Sequence, residues 1–180
     1  MEIYVDATAL IALGDVGRLE LLSYVDGILL VTPAVVGEIT TEPANHRLRA
    51  VIGDERDDTN SGVRLRQKEA NEEHLDAAKN VLGEMERNGD VEIVANVLHA
   101  FENDDPVAVV SDDRRVRTVA DDFGATVTGT VGVVVRAVHE GLSPDEAKAI
   151  VREIDSHGLH LTGELRETAY RLIDEAAEEN

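Results

Sequence analysis

Five acidic residues stand beside the predicted strands of this sequence and could hold a divalent cation: Asp6, Glu38, Glu92, Asp112 and Asp113. Asp6 follows a short apolar run at the N-terminus, and Asp112 and Asp113 follow another apolar run at 107–110. Because residues after the ends of parallel strands share one edge of a sheet, these carboxylates are expected to converge there. Carboxylates at close range repel each other unless a cation compensates them, and hard oxygen ligands select Mg²⁺ or Mn²⁺.

A cluster of this composition is suited to metal-assisted hydrolysis of phosphodiester bonds. A divalent ion held by carboxylates activates a water molecule and neutralises charge on the scissile phosphate. Each acid also has a structural explanation when it is taken alone. Asp6 or Asp112 could cap a helix, and Glu38 or Glu92 could be a solvated helix residue. The ordered set of acids, rather than any single one, predicts the metal site.

Three arginines follow the paired aspartates: Arg114, Arg115 and Arg117. Guanidinium groups bind phosphate oxygens through paired hydrogen bonds, so Arg115 and Arg117 are candidates to contact a substrate phosphate near the acids. The same side chains could instead balance the charge of neighbouring acids. The sequence leaves both interpretations open.

An alternation of predicted strands and helices positions these side chains. Four short apolar runs, rich in β-branched residues, indicate buried strands at 2–5, 28–31, 107–110 and 125–127. Thr32 before Pro33 predicts a helix start, and Ser111 or Asp112 is expected to cap the helix at 114–122. Apolar spacing predicts further helices at 74–87, 91–100, 131–140, 144–156 and 164–177. The alternation predicts an α/β fold, in which helices cover both faces of a parallel sheet of four or five short strands.

The composition favours a cytoplasmic protein adapted to high salt. The 180 residues carry a formal charge of −20 and include no cysteine, which excludes disulfides and zinc–cysteine sites. No apolar run is long enough to span a membrane, and the N-terminus lacks the basic region of a signal peptide. The acids are spread along the chain, which fits a salt-rich cytoplasm where screening weakens self-repulsion; the alternative is an acidic protein that binds a basic partner. Under salt adaptation, the acidity does not exclude a nucleic acid as substrate.

Two parts of the chain are expected to lie outside a minimal α/β domain. Residues 1–141 are expected to form the domain, and 42–75 form a polar insertion with a loop at 53–62. Residues 142–180 form a helical extension whose two helices each carry an apolar stripe. Because two helices have little core of their own, these stripes are expected to pack on the domain or on a second copy of the protein.

Several segments resemble those of PIN-domain proteins, in particular a prokaryotic group of predicted nucleic-acid-binding proteins related to VapC-type toxins. The segments that carry the resemblance are residues 5–10, 32–38, 89–95, 110–117 and 128–132. The resemblance covers roughly residues 2–140. It implies a Rossmann-like, three-layer α/β/α sandwich and Mg²⁺- or Mn²⁺-dependent ribonuclease activity, with RNA as the substrate and an antitoxin protein as a possible partner.

When the functional positions of the family are transferred to the matching positions of this sequence, the resemblance implies a role for each candidate residue. It implies that four acids are catalytic: Asp6, Glu38, Glu92 and Asp113. Asp90 is a neighbour of the third acid and Asp112 of the fourth, so the implied metal ligands include both. Thr8 matches a small polar residue often found beside the first acid, and joins Arg115 and Arg117 as a candidate substrate contact. The resemblance also favours a homodimer built partly by the C-terminal helices.

Two hypotheses from different classes follow. The first is a metal-dependent endoribonuclease. The second is a catalytically silent nucleic-acid-binding or protein-interaction module on the same fold. A metal-dependent rise in melting temperature would argue against the second, because an ion that binds only the folded state stabilises it.

Overall fold

A parallel sheet forms the centre of the protein, for which a computed structural model describes residues 1–53 and 63–179. Within these residues the sheet has five strands in the order β3-β2-β1-β4-β5. The strands are β1 (Glu2–Val5), β2 (Ile28–Val31), β3 (Arg66–Gln67), β4 (Val107–Val110) and β5 (Thr126–Thr128). All neighbouring pairs are parallel, which confirms the predicted sheet. β3 was not predicted because two exposed residues give no apolar run.

Helices occupy most of the remaining described chain. They are α1 (Ala7–Asp15), α2 (Pro33–Glu38), α3 (Ala44–Val51), α4 (Leu75–Leu82), α5 (Gly89–Glu102), α6 (Arg114–Asp122), α7 (Thr130–His139), α8 (Pro144–Ile154) and α9 (Gly163–Glu178). Two short 3₁₀ helices (Leu19–Tyr24 and Glu72–His74) and a π-helical turn (Asp155–Leu159) complete them. No helix in the described ranges is long and apolar enough to cross a membrane.

The helices form two layers, one on each face of the sheet. One layer contains α1, α3, α7, α8 and α9, and the other contains α2, α4, α5 and α6. This arrangement confirms the three-layer α/β/α sandwich. The core combines the buried apolar side chains of β1, β2 and β4, which are nearly inaccessible to solvent, with a larger number from the helices.

Helix α5 is buried on two sides, which fixes its N-terminus at the edge of the sheet. Ile93 and Val97 belong to the main core, whereas Val94 and Leu98 pack in a second cluster with α4.

The predicted helix 74–87 is wrong at its C-terminal end, because Gly83 adopts a left-handed conformation (φ +69°) and ends α4 at Leu82. The following residues therefore form a loop that returns to the start of α5.

The polar insertion and the C-terminal extension both contribute to the main core. Helix α3, within 42–75, buries Leu48 and Val51 there. Residues 54–62, which include most of the predicted loop 53–62, lie outside the described part of the chain. The stripes of α8 and α9 pack with α7 of the same chain, and Ile150 and Ile173 are fully buried. Leu165, on the α9 stripe, remains 54% exposed.

Candidate active site

The candidate site lies at the carboxyl ends of β1 and β4. Strand β2 pairs with one side of β1 and β4 with the other, so the strand order reverses at this point. The ladder continues past the strand ends, where the N–H of Asp6 donates to the carbonyl of Val110 at 2.9 Å. A reversal of strand order creates the crevice in which open α/β sheets bind ligands.

Asp6 is the most firmly held acid of the site. Its side chain is 1% exposed and accepts three hydrogen bonds, from the Ala7 N–H (2.6 Å), the Thr8 hydroxyl (2.7 Å) and the Ser111 hydroxyl (2.6 Å). The sequence predicts only a helix-capping role for Ser111. Its position between strand β4 and the paired aspartates was the only signal for this role.

Asp113 caps helix α6, so the prediction that Ser111 or Asp112 would do so is wrong. The Asp113 Oδ1 accepts from the N–H groups of Arg115 (2.7 Å) and Val116 (3.0 Å). The Ser111 hydroxyl is unavailable because it donates to Asp6 and accepts from the Asp113 N–H at 3.0 Å. The Ser111 hydroxyl thus links the Asp6 carboxylate to the backbone N–H of Asp113.

Asp112 points to a different helix. Its Oδ1 accepts from the Thr130 N–H at 2.9 Å, and its Oδ2 accepts from the Thr130 hydroxyl. The residue at the N-cap of α7 is Gly129, which has no side chain to cap the helix, so Asp112 supplies the acceptor. A Cβ on Gly129 would lie 2.5 Å from the Asp112 Oδ1, which explains the glycine.

Glu38 and Glu92 bridge α2 and α5. The Glu38 Oε1 accepts from the Gly89 N–H at 2.6 Å, at the start of α5. Glu92 is 2% exposed, and its Oε2 accepts from the Ala34 N–H at 2.9 Å, at the start of α2. The Glu92 Oε1 accepts from the Arg87 Nε at 2.6 Å. Glu92 is therefore buried with both oxygens engaged, and is not a solvated helix residue.

Each of these five acids accepts a hydrogen bond from a backbone N–H at the start of a helix. The helices are α1, α2, α5, α6 and α7. The free N–H groups of a helix N-terminus carry partial positive charge, which stabilises a carboxylate beside them. The backbone therefore offsets much of the repulsion that the sequence predicts among these acids.

Asp90 is the exception among the candidate ligands. No backbone N–H among the described residues donates to its side chain; its partner is the Arg115 Nη2, 3.2 Å from its Oδ2. Burial, together with the charges of Asp6 and Asp113, raises the pKa of Asp90 to about 6, against the lowering effect of Arg115. Burial also raises the pKa of Glu38, with Asp6 and Glu92 adding to the effect and the Gly89 N–H opposing it.

The arginines separate into two kinds. The Arg115 Nη2 lies 2.5 Å from the Glu84 Oε1 as well as near Asp90, and its Nη1 donates to the Leu82 carbonyl, so it balances local acids. Arg117 is exposed and has no ion-pair partner in the described ranges. The sequence gives no signal for Glu84, because the predicted helix 74–87 covers the loop in which it lies.

The carboxylate oxygens at this edge are of the type that binds a divalent cation, but they are not arranged as a complete coordination site. As they stand, no three Asp, Glu or His side chains among the described residues are placed to hold a metal ion. Among the six candidate ligands, three carboxylate oxygens have no hydrogen-bond partner in the described part of the chain: Glu38 Oε2, Asp90 Oδ1 and Asp113 Oδ2. Burial raises the pKa of Asp90, and the charges of Asp6 and Asp113 add a repulsion that Arg115 only partly offsets. A hard cation would relieve it.

A family model described as a PIN domain matches residues 2–175. This span includes α8 and most of α9, so it extends well beyond the 2–140 covered by the sequence resemblance. No significant match was found among curated proteins or among solved structures.

Proposed function

The chain belongs to the PIN-domain family, and from this premise we propose that it is a divalent-metal-dependent endoribonuclease. PIN domains are generally nucleases. The observation that carries the proposal is the group of carboxylates at the ends of β1 and β4, where burial, together with the charges of Asp6 and Asp113, raises the pKa of Asp90. Such a group is poised to exchange protons or to accept a cation.

We assign the metal-holding role to Asp6, Asp90, Asp113 and Glu38. Mg²⁺ or Mn²⁺ bound to these oxygens supplies a Lewis acid that activates water and neutralises charge on the scissile phosphate. Asp6 is fixed by three hydrogen bonds, so it serves as the rigid member of the set. The other three each present an oxygen that is not engaged by the described part of the protein.

Glu92 and Asp112 act in this proposal as positioning residues. Glu92 joins the start of α2 to Arg87, and so holds the helix that ends in Glu38. Asp112 holds the start of α7. Both oxygens of each of these carboxylates accept from protein donors. The same is true of Asp6, which stays among the proposed ligands because its charge adds to the effect of burial, which raises the pKa of both Asp90 and Glu38.

RNA as the substrate, an antitoxin partner, a homodimer, a cytoplasmic location and a salt-rich environment remain predictions of the sequence. Because the protein has a formal charge of −20, activity should be assayed in molar salt, where screening weakens the repulsion between the protein and a polyanionic substrate.

The direct test is cleavage of single-stranded RNA in Mn²⁺ and molar salt by the Asp6→Asn/Asp113→Asn variant. Asparagine keeps an acceptor oxygen for the caps of α1 and α6 but removes both charges. We expect cleavage to fall more than about 100-fold, because ligand loss exceeds the effect of losing an outer-shell partner. Asp122→Asn, on the exposed end of α6, is the matched control. Wild-type cleavage by a folded double variant would refute the proposal.

One observation favours the silent-module alternative. Arg115 already compensates Asp90, and the acids do not form a closed cage. This alternative predicts that Mn²⁺ leaves the melting temperature unchanged. A nuclease that holds the ion in its folded state shows a melting temperature that rises with Mn²⁺ concentration, and Asp6→Asn/Asp113→Asn reduces that rise.

A further inference from the structure

A groove adjoins the acidic edge on the side of the C-terminal helices. It has a volume of about 390 Å³ and runs between the start of α7 and α9. The lining residues that matter here are Asp112, Arg117, His160, Leu161, Leu165 and Leu172. Asp112 belongs to both the groove and the acidic edge, since its N–H donates to the Thr8 hydroxyl at 3.1 Å. A ligand in the groove therefore lies beside the proposed site.

Arg117 gives the groove a positive charge that the protein does not use internally. In a chain with a formal charge of −20, it has no ion pair with any described residue. It also lies in the first half of α6, where the helix dipole disfavours a cation. The same side chain faces an adjoining cleft with Arg114. Asp121 also lines that cleft but forms no ion pair with Arg117, so the guanidinium group is available to an anionic ligand in the groove.

The opposite wall of the groove is apolar and carries an imidazole. Leu165 is 54% exposed, although it belongs to the stripe that α9 otherwise buries. His160 has a left-handed backbone (φ +45°) and an exposed side chain that makes no hydrogen bond within the described ranges. Unpaired bases are bound by stacking on histidine rings and guanidinium planes and by contact with apolar side chains. The groove thus combines an apolar wall for a base with a cation for a phosphate.

We propose that this groove holds one unpaired base of the single-stranded RNA substrate, next to the phosphate at the acidic edge, with Arg117 on a flanking phosphate. The inference rests on the proposed function and adds a subsite to it. The C-terminal helices then take part in substrate binding, because Leu165 and Leu172 come from α9 and His160 from the turn before it.

The test is a double-mutant cycle in which one change is made in the protein and one in the RNA, and binding is measured. All proteins carry Asp6→Asn, so that the RNA is not cleaved during the measurement. Short single-stranded RNAs, each with one abasic position, are compared with the intact RNA by fluorescence anisotropy. We expect one abasic position to weaken binding about tenfold, the effect of losing one stacked base. Leu165→Glu is expected to weaken binding of the intact RNA by a similar factor and to remove the penalty of that abasic position.

Arg117→Gln provides a second, independent variant. It is expected to weaken binding and to reduce the dependence of affinity on salt, because one phosphate contact is lost. Arg152→Gln, an exposed arginine of α8 outside the groove, is the matched charge control and is expected to change neither quantity.

Any one of three results rules out the groove as a binding site for a base. The abasic penalty is the same in Leu165→Glu as in its parent, Arg117→Gln binds as Arg152→Gln does, or the RNA does not bind. These results are independent of cleavage. Wild-type cleavage without coupling at Leu165 rejects the groove alone, whereas coupling in a protein that never cleaves RNA rejects the nuclease and keeps the groove.

Discussion

The two halves of the acidic edge are held together by different chemistry. In the first, which we call the hydroxyl half, Asp6 and Asp112 accept from backbone N–H groups and from the hydroxyls of Thr8, Ser111 and Thr130. In the second, the guanidinium half, Glu92 pairs with Arg87, and Asp90 and Glu84 pair with Arg115. The same kind of carboxylate thus has neutral donors on one side and charged donors on the other.

This difference separates a rigid half from an adjustable one. Neutral hydroxyls fix the carboxylates of the hydroxyl half whatever the salt concentration. Ion pairs depend on the charge of both partners, and surface pairs also on screening. The side chain of Arg115 is 46% exposed, so it can leave Asp90 when a stronger cation or a phosphate arrives. We therefore expect the hydroxyl half to set the geometry of the site and the guanidinium half to respond to ligands.

The largest effect is expected for Glu92→Ala, in the buried part of the guanidinium half. The change leaves the Ala34 N–H without its acceptor and removes the partner of Arg87. We expect a loss of about 3 kcal/mol in the free energy of unfolding, measured by urea denaturation in molar salt. Glu92→Gln keeps an acceptor for Ala34 and should lose less.

Glu86→Ala, an exposed acid in the loop before α5, is the matched control for Glu92→Ala. Equal stability of the Glu92 and Glu86 variants would contradict the role of Glu92 as the link between α2 and Arg87.

A smaller effect is expected for Thr130→Val in the hydroxyl half. Valine keeps the shape of threonine but removes the hydroxyl that donates to Asp112, while the Thr130 N–H contact is retained. We expect a loss of about 1 kcal/mol, the same at two high salt concentrations, because the donor is neutral. Thr126→Val, on the exposed face of β5, is the control. A loss that varied with salt would remove the distinction between the two halves.

An effect of similar size to that of Thr130→Val concerns pH and Asp90 in the metal-free protein. Its pKa is raised from 3.8 to about 6 in the folded state, so the folded protein binds this proton more tightly than the unfolded chain. The stabilisation is present at low pH and is lost as pH rises from about 4 to about 6. We expect the free energy of unfolding in a chelator to fall by about 1 kcal/mol over this interval, reduced by screening.

Asp90→Asn cannot titrate, so its stability should be flatter over the same interval. Thermal melts of both proteins across this range provide the comparison. If the melting temperatures of the two proteins change with pH at the same slope, other groups compensate the charge of Asp90. The proposed difference between Asp90 and the other acids is then wrong.

The sequence was sufficient for the parts of the fold that depend on local patterns. Short β-branched runs identified β1, β2 and β4, and the acids that follow them placed Asp6 and Asp113 at one edge. These predictions succeeded because a buried parallel strand is apolar throughout, and the residue after it must lie at the edge. Strand β3 has only two residues, both exposed, so it offered no such pattern.

The orientation of individual acids could not be predicted because distant residues decide it. Asp112 and Asp113 are adjacent, yet Asp112 turns to Thr130, which lies 18 residues away, whereas Asp113 turns back onto its own helix. Glu92 is buried because the Ala34 N–H, 58 residues away, needs an acceptor. The periodicity of a single segment contains no information on these contacts.

The hydrogen bond between Asp6 and Ser111 has a consequence for the synthesis of the protein on the ribosome. It joins residues 105 positions apart, so the site cannot assemble while β4 is still being synthesised. At ribosomal speeds of about 5–20 residues per second, roughly 5 to 20 s separate the appearance of the first acid from that of its partner. Throughout that time the emerging chain carries only the first acids of the edge, without the Ser111 hydroxyl that holds Asp6.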